Sequence, residues 1–104
     1  MGGLSYNPDL SDVLQNYQAT RITVSTTEVE AKVGASRNAN RQLIAIYNDS
    51  STTVVYYGPT GVTASGGFGL PLNPGQAITL SLGNAGIFLI TASGSAPVII
   101  QELS

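Results

Sequence analysis

The chain reads as one all-β domain. It is a β-sandwich or jelly-roll-like fold of seven or eight short antiparallel strands, preceded by an N-terminal arm that contains a short helix. Three observations predict this. From Arg21 onward, apolar and polar residues alternate with a period of two, the signature of half-buried strands. Turn-forming clusters recur between these runs at short, regular intervals, as sandwiches and jelly rolls require. Residues 58–76, GPTGVTASGGFGLPLNPGQ, hold six of the 12 glycines and three of the five prolines, a composition that excludes helix between the two strand-rich halves.

The first 20 residues differ from the rest and form the arm; residues 21–104 form the β-domain. Within the arm, Asn7 is placed to cap a helix, with Pro8 as its first residue and Asp9 and Asp12 near the positive end of the helix dipole. Leu10, Val13, Leu14 and Tyr17 follow the spacing i, i+3, i+4, i+7 and make one apolar stripe. So short a helix does not persist alone in water. It packs either on its own domain or on a neighbouring subunit or scaffold.

Ile22 and Val24, then Val29, Ala31 and Val33, alternate with polar residues, giving one strand or two broken near Thr26 and Thr27. Residues 34–42 make a polar loop. Residues 43–47, LIAIY, are almost continuously apolar and read as a central strand covered on both faces. Residues 48–51, NDSS, form a turn, and residues 52–57 are the expected hairpin partner. Asn73-Pro74-Gly75-Gln76 suits a tight turn, with proline fixing φ at the second position and glycine accepting positive φ at the third. Ile78, Leu80 and Leu82 face inward in the next strand. Residues 87–91 make another, and residues 98–103 the last, with Pro97 restricted to an edge or a strand start.

Composition narrows the function. Charged residues are 10% of the chain, against roughly 25% in ordinary globular domains. Such a neutral surface favours association with other subunits. A net charge of −2 gives no general attraction to nucleic acid or anionic membrane, and no run approaches the length of a membrane span. The chain has no histidine and no cysteine, so histidine-based triads, thiolate metal sites and disulfides are excluded. No cofactor or metal is expected. Asn48, Asp49 and Ser50 offer too few carboxylates for calcium. The glycine-rich stretch lacks the Gly-Lys-Ser/Thr ending of a phosphate-binding loop.

Glu28 and Glu30 lie roughly 7 Å apart along one strand face by the strand rise, a spacing compatible with a glycosidase pair. They share that face with Lys32 and read better as solvated. All four basic residues fall between 21 and 41, and Arg37 and Arg41 flank a loop from which a guanidinium can grip a carboxylate on a partner. Tyr56 and Tyr57 point to opposite sides of one strand; one of them, with Tyr47, is the candidate sugar-stacking surface.

Residues 23–104 resemble a β-rich module of tailed-bacteriophage virions. The resemblance is carried by TVSTTEVEAKVGASRNANRQLIAIYNDSSTTVVYYG, then GVTASGGFGLPLNPGQAITL, then GIFLITASGSAPVIIQEL. It implies a structural protein of the head or tail, often trimeric, with no catalytic residues. The expected function is therefore a capsid decoration (cement) or head-fibre protein. It would form a homotrimer, bind the major capsid protein or another virion protein, and belong to the virion assembled in the host cytoplasm. Leu10, Val13, Leu14 and Tyr17 on the arm, with Arg37 and Arg41 on the loop, are the expected partner contacts. A tail-associated receptor- or glycan-binding module is the alternative, and a glycan hydrolase using Glu28 and Glu30 a third.

Overall fold

A computed structural model describes residues 16–64 and 66–104. The described chain is all-β: β1 (Tyr17–Val24), β2 (Val29–Glu30), β3 (Leu43–Asn48), β4 (Val55–Gly58), β5 (Leu70–Leu72), β6 (Ala77–Leu80), β7 (Phe88–Thr91) and β8 (Ala96–Leu103). The strands form two four-stranded antiparallel sheets, in the orders β1-β8-β3-β6 and β2-β7-β4-β5. The buried faces share one core, as in a β-sandwich. Val24, Ile44, Ile46, Val98 and Ile100 come from the first sheet, Val55, Leu72 and Leu89 from the second. Each fully buried aliphatic chain contributes about 1.5–3 kcal/mol, offset largely by the entropy of ordering the chain.

The long central strand β8 organises the first sheet. Its residues alternate strictly between buried and half-buried. Ala96, Val98, Ile100 and Glu102 point in, while Pro97, Ile99, Gln101 and Leu103 point out. β8 pairs with β1 from Tyr17↔Leu103 to Val24↔Ala96, and with β3 from Leu43↔Leu103 to Asn48↔Val98. Pro97 is tolerated because it stands second in its strand.

The turn at residues 73–76 forms as the sequence requires. Gly75 has φ +79°, and the Gln76 amide donates to the Asn73 carbonyl at 3.0 Å. The break near Thr26 and Thr27 is a bend that passes the chain from β1 in one sheet to β2 in the other.

Other expectations are corrected. Residues 52–57 do not return as a hairpin beside residues 43–47, because β4 lies in the opposite sheet between β7 and β5. Asn48 explains the crossing. Its buried amide donates to the Thr53 and Leu72 carbonyls at 2.8 and 2.9 Å and so ties the departing chain to the other sheet. β3 is interior to its sheet but covered on one side only: Ile44, Ile46 and Asn48 are buried, whereas Leu43, Ala45 and Tyr47 are half-buried on the outer face. Leu82 lies past the end of β6 and is 40% exposed, not inward. The first sheet begins at Tyr17, four residues inside the expected arm, so residues 17–20 belong to the β-domain. Pairing with β8 supplies the backbone bonds that a helical Tyr17 would have taken from its own turn. The rest of the expected helix lies outside the described residues.

Candidate functional site

The charged side chains were the first place to look for chemistry, and one pair is fully buried. Arg41 Nη1 donates to Glu102 Oε2 at 2.8 Å, with side-chain exposures of 0% and 1%. The same guanidinium donates to the carbonyls of Gly83, Ala31 and Ala85. Glu102 also accepts from the Val33 amide at 3.2 Å and, at the limit of range, from the Asn38 amide at 3.5 Å. The pair thus pins loop 31–42 and loop 81–87 to the end of β8. Its polar contacts are to described residues of the same chain, and both side chains are buried. It is a structural clamp, and Arg41 offers no guanidinium to a partner.

Arg37 is half-exposed. Its Nη1 lies 3.2 Å from Glu30 Oε2, within ion-pair range but off the hydrogen-bonding direction, and that buried oxygen accepts no hydrogen bond. Lys32 approaches the other Glu30 oxygen at 3.8 Å. Glu28 instead holds the loop after β4: its carboxylate accepts from the Gly61 amide at 2.7 Å and the Thr60 hydroxyl at 3.3 Å. The two glutamates are therefore committed to different neighbours, and the spacing that suggested a catalytic pair serves two separate anchors. Asp49 pairs with Arg21, and the Asn48 side-chain oxygen accepts from the Ser50 amide. Among the described residues no group of three or more acidic side chains gathers.

The tyrosines are separated as well. Tyr57 packs against the core, which puts Tyr56 on the outer face of the second sheet. Tyr47 stands on the outer face of the first. The sandwich lies between them, so they form no common stacking surface.

What the first sheet does present is a broad neutral face. By register, Tyr17, Leu103 and Leu43 make one row across it. Ala19, Gln101, Ala45 and Thr79 make the next, and Arg21, Ile99, Tyr47 and Ala77 a third. Arg21 at the edge carries the only charge in these rows, and it is paired with Asp49. A shallow depression of about 260 Å³ lies at the centre, lined by Ala45, Tyr47, Ala77, Ile99 and Gln101. Tyr17, 68% exposed, spans the rim and donates its hydroxyl to Gln101 at 2.9 Å. At ~4.8 Å between strands and ~3.4 Å per residue, strands of eight, eight, six and four residues give the face roughly 400 Å². Even counted whole, it is no larger than the largest apolar patch on an ordinary monomer, a patch that is often functional.

Of the expected contact residues, Tyr17 alone is on this face. Arg37 sits at the end of the sandwich, Arg41 is inside it, and Leu10, Val13 and Leu14 lie outside the described residues. Sequence reasoning missed Glu102 as the partner of Arg41. The signal was present: extending the inward series Val98, Ile100 by two places lands on Glu102. No family model and no curated protein sequence matches this chain.

Proposed function

We propose that this protein is a structural component of a bacteriophage virion, a capsid decoration (cement) or head-fibre protein. It associates as a homotrimer and stabilises the head by adhesion, without catalysis. The observation that carries this reading is the neutral outer face of the first sheet, with its apolar rows and single edge ion pair. A face of ~400 Å² supplies about half of the ~800 Å² that each partner contributes to a standard interface. The arm, with Leu10, Val13 and Leu14, supplies further contact, and many copies on one particle multiply a modest affinity. The strand order is that of a jelly roll, an architecture recurrent in viral capsid proteins. Fold alone does not assign function; the face and the resemblance of residues 23–104 direct the choice.

Co-sedimentation with empty phage heads tests the proposal. Wild-type protein is expected in the pellet. Ala77→Glu, which places a charge on an exposed edge position of the face, is expected in the supernatant with an unchanged unfolding transition. Wild-type protein that stays in the supernatant refutes the reading. Retention on host cells or polysaccharide would then favour a tail-associated receptor- or glycan-binding module. Its support is a polar depression of about 250 Å³ beside Tyr56, lined also by Thr52, Thr53 and Ser93.

A further inference from the structure

The two sheets have four edge strands, β1 and β6 in the first and β2 and β5 in the second. An edge strand exposes a row of unpaired backbone donors and acceptors. Proteins blunt such an edge by shortening it or by placing proline, lysine or a bulge there. Three of these edges are blunted. β2 is two residues long, β5 is three with Pro71 at its centre, and β6 is four. β1 is different. It runs for eight residues, YQATRITV, without proline, glycine or lysine. Its pairing with β8 is one-to-one from Tyr17 to Val24, so no bulge turns the edge aside. Its single charge, on Arg21, is matched by Asp49.

Hydrogen-bond parity shows which groups the edge offers. Asn16 and Ser104 exchange both backbone bonds, at 2.6 and 2.9 Å. Hydrogen-bonded and non-hydrogen-bonded pairs alternate along an antiparallel ladder. Gln18, Thr20, Ile22 and Val24 therefore bond to β8. Tyr17, Ala19, Arg21 and Thr23 aim their N–H and C=O groups the other way, and among the described residues no backbone partner meets them.

That edge fits its own copy. In an antiparallel β1–β1 contact about a twofold axis, opposite residues share a face, so the axis passes through a residue. An axis at Thr20 sets Ala19 against Arg21 of the second copy, and Tyr17 against Thr23. All four outward residues of both copies then pair through hydrogen bonds. No other position of the axis uses all four within β1. An axis at Arg21 would also oppose two like charges, which is destabilising. At Thr20 the long Arg21 faces the small Ala19, and threonine meets threonine, a favourable cross-strand pair. On the other side of the sheet Gln18, exposed in the single chain, comes opposite the half-buried Ile22.

The segment that precedes β1 fits less well. Residues 11–15, SDVLQ, hold no glycine for the positive φ of a tight hairpin turn back along the strand. The spacing of Leu10, Val13 and Leu14 is helical.

We infer that two copies of the chain join edge to edge through β1, in antiparallel register centred on Thr20, making one continuous eight-stranded sheet. The contact is isologous, as a twofold interface must be. It carries the neutral outer face across the axis and doubles it to roughly 800 Å², the area one partner contributes to a standard interface. The inference does not rest on the virion assignment. A threefold contact through another surface, combined with this one, gives six chains.

The chain has no cysteine, so one introduced at the axis gives a clean test. Thr20 and its copy form a non-hydrogen-bonded pair with Cα atoms about 4.5 Å apart, within disulfide range. Thr20→Cys, oxidised in the absence of phage heads, is expected to give a covalent dimer in high yield. Ala19→Cys is expected to give little, because Ala19 and its copy stand two residues out of register. Ala19→Pro removes an outward N–H and leaves the bonds to β8, a position at which an edge strand accepts proline. It is expected to keep the circular dichroism spectrum and to halve the sedimenting mass of the wild-type protein. Equal cross-linking of the two cysteine variants overturns the inference, as does wild-type protein that sediments as an odd number of chains. So does slow amide exchange at Ala19 and Arg21 in a protein that sediments as one chain, which would give the edge to a segment of the same chain. Failure to bind heads with the Thr20→Cys disulfide formed would sink the virion reading alone.

Discussion

Removing one member of the buried Arg41–Glu102 pair is predicted to be among the most damaging single changes outside the apolar core. In Glu102→Gln the shape is kept and the charge is lost. Arg41, with no exposed side-chain surface, is then left as a buried cation. Breaking a buried pair in this way costs about 3–5 kcal/mol. No discount for solvent screening applies, since both side chains are inside. A domain of 104 residues has roughly 5–15 kcal/mol in total, so the variant loses at least about a fifth of its stability. Arg41→Met should cost a similar amount, because it strands the Glu102 carboxylate and deprives the Ala31, Gly83 and Ala85 carbonyls of their donor. The double variant Arg41→Met/Glu102→Leu leaves no buried charge. It should lie well above the sum of the single losses, with a coupling of about 2 kcal/mol or more, yet below wild type because the loop carbonyls remain unpaired. Urea unfolding at one fixed protein concentration measures this. With a slope of about 1–3 kcal/mol per molar, each single variant shifts its midpoint by more than ~1 M at unchanged slope. Additive losses, or single losses below ~1 kcal/mol, would show that the pair is not the clamp described above.

Three further perturbations follow from the packing. Leu89→Ala removes a fully buried side chain from β7, and urea unfolding should show a loss of about 2–5 kcal/mol. Asn48→Ala leaves the Thr53 and Leu72 carbonyls without donors at the crossing between the sheets; a loss of about 1–3 kcal/mol is expected by the same measurement. Gly75→Ala forces a side chain into φ +79° with open space around it. Its cost of about 1–2 kcal/mol is backbone strain alone and should appear as a lower thermal midpoint with no change in oligomeric state.

Strand identity was legible because period-two alternation survives in every long strand. β8 is the clearest case, where Val98, Ile100 and Glu102 take the inward places although both faces read as apolar. Pairing was less legible. A hairpin between residues 43–47 and 52–57 is the local choice on sequence spacing, and what overrides it is a tertiary contact, the Asn48 amide bridging to Leu72 24 residues away. The same limit hid the fate of Arg41. A basic residue in a polar loop ordinarily faces water, and only the long-range arrival of Glu102 makes burial tolerable. Arg37, four residues earlier in that loop, stays half-exposed because its acidic neighbour, Glu30, lies nearer the surface. Tyr17 shows a different ambiguity. It fits the helical stripe and the first strand equally by spacing, and pairing with Leu103 decides for the strand.

The distribution of charge leads to a last prediction. Among the described residues are all four basic side chains and the acids Glu28, Glu30, Asp49 and Glu102, and each has a partner inside the fold. Arg21 meets Asp49, Arg41 meets Glu102, Lys32 and Arg37 flank Glu30, and Glu28 holds the Gly61 amide. Little charge remains to steer or hold another molecule, so association must draw on apolar area and shape. A solvent-exposed pair at the rim of a contact adds at most about 1 kcal/mol and is screened by salt. Raising sodium chloride from 50 to 500 mM should therefore change the self-association constant, measured by sedimentation equilibrium, by less than about tenfold. Binding that relied on several ion pairs or on phosphate contacts would weaken by orders of magnitude over that range. A steep salt dependence would mean that charge, not the neutral face, holds the assembly together.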